Sequence, residues 1–282
     1  MRIVIDMQGA QTDSRKRGIG RYTRGLAAAL LANSNGHEIV LALNGMLPEG
    51  AAEVFSFFSG LIAPEYIRIW NGPDHSQFPV APPSSARVEA ESCYERFLLG
   101  LRPDVVILTT VLAEGSDANF TCALAELSRQ TLVAAIAYDF LPLRHPERYL
   151  ADPNQNALYR AKLKLLEDVG LFLAISEFTT KETRELFPSK EVVCIGTDTD
   201  VIFKPANLTK AEERNLCNRL GITDKFVFYA GGFDRRKNIV ALTRAYLMLP
   251  EALRRNRQLV LAVDKKLAMD ENPELETLIN EA

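Results

Sequence analysis

Residues 2–32, RIVIDMQGAQTDSRKRGIGRYTRGLAAALLA, set out a strand, a loop and a helix in that order. Arg2–Asp6 is short, β-branched and nearly all apolar, the pattern of a strand covered on both faces. Gly20–Ala32 carries Leu26, Leu30 and Leu31 at helical spacing. The same alternation returns down the chain. Strands are expected at His37–Leu43, Tyr66–Trp70, Asp104–Thr109, Leu132–Tyr138, Leu171–Ile175 and Glu191–Ile195, then at Phe226–Ala230 and Gln258–Val263. Several are unbroken apolar runs, such as VVIL, LVAAIA and LFLAI. A helix from Asp152 to about Asp168 has Asp152 as its N-cap and Pro153 at its first position. Strands alternating with helices define an α/β fold built on a doubly wound, mostly parallel sheet.

At 282 residues the chain suggests about two domains. A boundary is expected near Phe203–Thr209, where Lys204-Pro205 closes one βα series, which divides the chain into 1–205 and 206–282. The second series has only two clear strands, so it is expected to be an incomplete Rossmann-like domain. Asn71–Ser85, with four prolines and no strand or helix period, reads as a long surface loop.

Composition excludes several classes. An apolar fraction of 47% and a charged fraction of 24% are those of a soluble globular chain. No apolar run reaches the roughly 20 residues of a membrane span, and MRIVIDM lacks the layout of a signal peptide, so a cytoplasmic location is expected. Cys93, Cys122, Cys194 and Cys217 have no CxxC spacing, and His37, His75 and His145 are as scattered, which argues against a disulfide scaffold and a zinc site. A net charge of -3 argues against a nucleic-acid partner. Yet Arg15, Lys16, Arg17, Arg21 and Arg24 cluster without an acid between them. A second cluster holds Arg235, Arg236, Lys237, Arg244, Arg254, Arg255 and Arg257. Two basic clusters in an acidic chain fit a small anionic ligand or an anionic membrane surface. For the membrane, Phe55, Phe57, Phe58 and Leu61 could supply apolar contact, although a core role for the phenylalanines fits their pattern at least as well.

In an open α/β sheet ligands sit beyond the carboxyl ends of the strands, and that rule selects the candidates. Gly18 and Gly20 open a helix, where glycine lets a phosphate approach the free N–H groups. A tight βα turn flanked by solvated arginines accounts for them at least as well. The run Gly231-Gly232-Phe233-Asp234-Arg235-Arg236-Lys237-Asn238 ends a strand and places Arg236 and Lys237 at a helix start. Cations there oppose the helix dipole, which favours an anionic ligand such as a diphosphate over a merely solvated turn. Asp139 follows an apolar strand and could bind sugar hydroxyls or orient an acceptor, or could equally cap its own loop. Ser176 reads as a helix N-cap, His145 as a surface histidine, and the cysteines as small core residues.

The motifs RIVIDMQGAQ, RGIGRYTRGL, AYDFLPLRHPERY, LFLAISEFTTKE, IGTDTDVIFKP and FYAGGFDRRKNI, taken in order, resemble a family 4 retaining glycosyltransferase of GT-B architecture. Within that family the chain is most similar to the bacterial mannosyltransferase-like branch that builds surface polysaccharides. The resemblance implies an acceptor-side N-terminal domain, 1–205, and the start of a C-terminal nucleotide-sugar-binding domain, 206–282. It implies that Gly18 and Gly20 match the glycine loop near the donor phosphates, with Gly232 on the donor side. By the same resemblance Arg236 and Lys237 match the basic pair on the diphosphate, and Asp139 the residue reaching the transferred sugar or acceptor. Tyr138 stands where many members carry a histidine. The family's acidic C-terminal motif has no match before residue 282, since Glu274 and Glu281 lie too early, so residues 1–282 alone are expected to be inactive.

The implied reaction moves a sugar from a nucleotide-sugar to a glycan or lipid-linked acceptor with retention. The branch points to mannose from GDP-mannose. No metal or other cofactor is expected, the nucleotide-sugar being a substrate, and a peripheral position on the inner face of the cell membrane is the further expectation. Two other classes stay open. One is an inactive nucleotide-sugar-binding or regulatory protein of the same fold. The other is a Rossmann oxidoreductase or epimerase, which would need GxGxxG after the first strand, and QGAQTDSRKRGIG does not supply it.

Overall fold

The structure, a computed structural model, describes residues 1–72, 85–112, 123–199, 203–222 and 225–281. Most of the loop expected over Asn71–Ser85, and Cys122, lie outside the described residues. The chain divides into two compact units, Met1–Val201 and Ile202–Ala282.

The first unit holds seven strands among its described residues: β1 Arg2–Asp6, β2 Glu38–Asn44, β3 Ile67–Trp70, β4 Val105–Leu108, β5 Leu132–Ala137, β6 Leu171–Ala174 and β7 Glu191–Cys194. Its helices are α1 Gly18–Ala32, α2 Pro48–Phe58, α3 Ser85–Gly100, α4 Leu127–Gln130, α5 Leu141–Arg144, α6 Pro146–Tyr149, α7 Pro153–Leu165 and α8 Glu177–Leu186. The strands form one parallel sheet in the order β3-β2-β1-β4-β5-β6-β7. The chain first winds outward from β1 to β3 and then crosses back to β4. This reversal puts a crevice beyond the carboxyl ends of β1 and β4, where ligands bind in doubly wound sheets.

The apolar runs arise because helices cover both faces of this sheet. Val4, Val106, Val133 and Phe172 pack on one face with Tyr94 and Leu98 of α3. Ile5, Leu41 and Ile107 pack on the other with Ala27 of α1 and Val54 and Phe58 of α2. Helix α1 differs in detail from the sequence expectation. Its buried line is Gly20, Thr23 and Ala27, while Leu26, Leu30 and Leu31 flank it half-buried. Small residues on the contact line let this helix lie close to the strands. Side chains set the helix starts: Asp152 accepts from the backbone N–H groups of Asn154 and Gln155, both at 2.9 Å, and Ser176 Oγ from that of Thr179 at 3.1 Å.

The second unit holds β8 Lys225–Ala230 and β9 Arg257–Ala262, a parallel pair, with α9 Lys210–Arg219, α10 Ile239–Leu247, α11 Glu251–Arg254, α12 Lys265–Glu271 and α13 Glu274–Glu281. Thr209 and Glu212 start α9 with a reciprocal capping box. Ile239, Ala268 and Leu275 form its buried core. Phe226, Val227 and Phe228 on β8 remain 46%, 42% and 58% exposed. Cys93, Cys194 and Cys217 are free and half-buried; Cys93 packs against the core of the first unit, as expected, while Cys194 and Cys217 join no core cluster among the described residues. Among the described residues no helix is long and apolar enough to cross a membrane.

Candidate functional site

The crevice is built on a buried polar network that sequence reading did not identify. Asp6, the last residue of β1, is fully buried and accepts hydrogen bonds from Tyr94 Oη at 2.9 Å, Gln8 N at 3.2 Å and Gln8 Nε2 at 3.3 Å. Gln8 Oε1 accepts from Asn44 Nδ2 at 2.9 Å. Gln11 then exchanges two 2.9 Å bonds with the Asn44 backbone. Burial pushes the Asp6 carboxyl up to about 7 against these donors. The network ties the ends of β1 and β2 to the loop that leads to α1. Thr109, just past β4, donates to the Asp6 carbonyl at 2.6 Å and accepts from Gly9 N at 3.2 Å. A side chain at Gly9 would lie 2.6 Å from Thr23 Oγ1, so this turn admits only glycine without rearrangement.

Gly18 and Gly20 begin α1 but differ in surroundings. A Cβ on Gly20 would sit 2.4 Å from Arg15 Cα, so Gly20 lets the helix pack on the preceding turn. A Cβ on Gly18 would meet nothing within 4 Å. Gly18, Lys16, Arg17 and Arg21 are exposed around this helix start, whose N-cap, Arg17, makes no side-chain cap. Arg15 instead pairs with Glu49 at 2.8 Å and Glu53 at 3.3 Å on α2.

Asp139 follows β5, and its neighbour Tyr138 meets Tyr22 of α1 edge-on, with ring centroids 5.6 Å apart. The structure therefore brings the Gly18–Gly20 segment and the Asp139 loop to the same end of the sheet. Asp139 is exposed, and its Oδ1 accepts from Leu141 N at 3.1 Å, a loop-capping bond that leaves Oδ2 available. The Tyr138 and Thr23 hydroxyls are shut off from solvent and interact with each other. Burial holds the Tyr138 phenol well above its usual range. His145 is exposed, 3.6 Å from Glu147.

In the second unit, Arg235–Lys237 form a 3-10 turn, and Asn238, at φ 54°, turns the chain into α10. Arg236 Nε contacts Asp234 Oδ1 at 2.9 Å, which neutralises part of the charge that opposes the helix dipole. Lys237 is exposed and has no carboxylate partner among the described residues. Gly232 lies beside these groups: a Cβ there would be 3.1 Å from Asp234 Oδ2 and 3.7 Å from Lys237 Cγ. Tyr229 Oη closes the loop by donating to the Gly232 carbonyl at 2.6 Å. Gly232, Arg236 and Lys237 are thus one cluster.

The apolar residues expected beside the first basic cluster separate. Phe58 is fully buried in the core under α2, so it is unavailable to a membrane. Phe55, Phe57 and Leu61 are 44%, 44% and 57% exposed, and the Arg24 guanidinium lies 5.9 Å from the Phe57 ring centre.

Two solved structures share this architecture. HepE of Anabaena, in complex with UDP and glucose, gives a TM-score of 0.63 at 14% identity and covers 99% of this chain and 66% of its own. Sucrose-phosphate synthase of Thermosynechococcus elongatus gives 0.55 at 12% identity, covering 100% and 67%. The fold is that of the GT-B class. In sequence the chain is similar to the serotype-specific mannosyltransferase WbdA of Escherichia coli, at 28% identity over 272 residues, which is 93% of this chain and 31% of that protein. A second WbdA sequence from Escherichia coli is 25% identical over 247 residues, 84% of this chain and 29% of its own. The chain spans about a third of the length of these curated relatives. No protein-family model matches it.

Proposed function

We propose that the chain is the nucleotide-sugar-handling part of a retaining hexosyltransferase of surface polysaccharide synthesis, moving mannose from GDP-mannose to a glycan or lipid-linked acceptor. The observation that carries this reading is the similarity to WbdA over 93% of the chain, on a fold shared with HepE. Lys237 and Arg236 hold the diphosphate, with Gly232 leaving room for it, and they stabilise the charge that develops as it departs. Gly18 offers an open helix start that can take an anionic group, with Gly20 fixing that helix on its turn. Asp139 reaches the transferred sugar or the acceptor with its available oxygen. In this reading no metal or other cofactor takes part in the reaction. Residues 1–205 serve the acceptor and 206–282 the donor. Calorimetry tests the donor: GDP should bind and UDP should bind more weakly, while equal heats for both would refute the choice of nucleotide.

Peripheral contact with an anionic membrane on the cytoplasmic side belongs to the same reading. Exposed Lys16, Arg17 and Arg21, together with Arg24 beside Phe57, Phe55 and Leu61, support it. Flotation with anionic liposomes should recover the protein and neutral liposomes should not. Equal recovery would retire the electrostatic contact.

A further inference from the structure

The loop that carries Asp139 is held on alternate sides of that residue. Just before it, the Tyr138 carbonyl accepts from Thr179 Oγ1 at 3.0 Å. Just after it, Phe140 is buried, its ring 6.4 Å from that of Phe187 at the end of α8. Five residues on, Arg144 Nε donates to the Glu182 carboxylate. The guanidinium also lies 5.1 Å from the centre of the Phe178 ring. Phe178 and Glu182 are one helical turn apart on α8, so both grip Arg144 from the same face.

We propose that α8 is the mount of Asp139, with Glu182 acting as a positioning residue through Arg144 and Thr179 through the Tyr138 carbonyl. The inference rests on the role proposed above for Asp139. The Glu182 side chain is only 6% exposed, whereas Arg144 is 49% exposed. A buried carboxylate is held strongly to its cation, because separating the two leaves a charge without solvent. The pair therefore fixes the far end of the loop more firmly than a surface ion pair would. With the backbone pinned on both sides, Asp139 is the exposed residue of the stretch 138–143, its side chain turned by its bond to Leu141 N. Chemistry at a sugar carbon tolerates little play: a displacement of roughly 1 Å can cost about 100-fold in rate.

The test uses Glu182→Gln, Thr179→Val and the pair of substitutions in the intact protein, all near-isosteric so that the fold survives. The double variant should lose about tenfold in kcat with donor KM changed by no more than about twofold. Amide exchange over 138–141 should rise while that of β5 stays protected. In an Asp139→Asn background the same substitutions should cost nothing further. If Asp139→Asn impairs transfer but the double variant does not, or if their losses multiply, the mount is wrong. If Asp139→Asn leaves kcat unchanged, the role of Asp139 falls instead, and the mount with it. Should the whole transferase that contains residues 1–282 show no transfer before any substitution, the proposed function fails. Exchange then decides the mount alone, with an unchanged rate over 138–141 overturning it.

Discussion

Tyr94 donates a 2.9 Å hydrogen bond to Asp6 across 88 positions of sequence, and both side chains are fully buried. The bond joins α3 to the carboxyl end of β1, and Asp6 has no cation to balance it in the contacts of that network. Its carboxyl is therefore pushed up to about 7, mainly by loss of water. The folded chain keeps this proton up to about pH 7, whereas the unfolded chain releases it above about pH 4. Between those values the folded state binds more protons, so the Asp6 contribution to stability falls as pH rises and levels off above about 7. Each unit of difference is worth about 1.4 kcal/mol. Asp6→Asn, which keeps an acceptor for Tyr94, should flatten that slope and exceed the native protein in stability at pH 8. Urea melts from pH 4 to pH 8 on both proteins check this, and parallel slopes would contradict it.

Two glycines two residues apart should behave oppositely. Gly20→Ala must push on the Arg15 backbone at 2.4 Å and should cost on the order of 1–3 kcal/mol. Gly18→Ala meets open space in a helix and should be neutral or gain up to about 1 kcal/mol. Denaturation of the two variants reads the difference. If Gly18→Ala folds normally yet weakens GDP binding, Gly18 is a ligand contact.

Lys237→Ala should weaken binding of a nucleoside diphosphate by about 1.5–3 kcal/mol, the loss of one charge-assisted contact. Arg236→Ala should cost less, because Arg236 must share itself with Asp234, 2.9 Å away. Calorimetry with GDP on both variants measures the ranking. Unchanged affinity in Lys237→Ala would remove the cluster from the donor site.

Limited proteolysis should cut first between residues 203 and 209, where the first helix of the second unit has not begun. The first unit buries extensive cores on both faces of its sheet, and the second buries Ile239, Ala268 and Leu275. A resistant N-terminal fragment and a faster-degraded C-terminal one are expected. Mass spectrometry of the early products tests this, and first cuts within β1–β7 would contradict it.

The strands were legible because covered parallel strands leave apolar runs, and the structure shifts their ends by a residue or so. Tyr138 illustrates the shift: it continues the apolar run of β5, but its ring turns to meet Tyr22 and the ladder stops at Ala137. The caps at Asp152 and Ser176 were legible because capping is local. The Asp6–Gln8–Asn44–Gln11 network was not, because polar residues after a strand look the same whether solvated or buried. Its partners meet only through the strand order that sets β1 between β2 and β4. Arg144 and Glu182, 38 positions apart, escaped for the same reason. Gly20 read as a ligand glycine or, at least as well, as part of a tight turn, and the packing of the helix start on that turn shows only in the distance to Arg15.

The most direct test of the proposed function is transfer itself. The whole transferase of which this chain is a part, rather than residues 1–282 alone, is incubated with GDP-mannose labelled in the sugar and a lipid-linked glycan acceptor, and the product linkage is read by NMR. The account predicts labelled mannose on the acceptor in an α linkage, as in the donor, with transfer sharply reduced by Lys237→Ala. Intact GDP-mannose after prolonged incubation, or a product of inverted configuration, would contradict it.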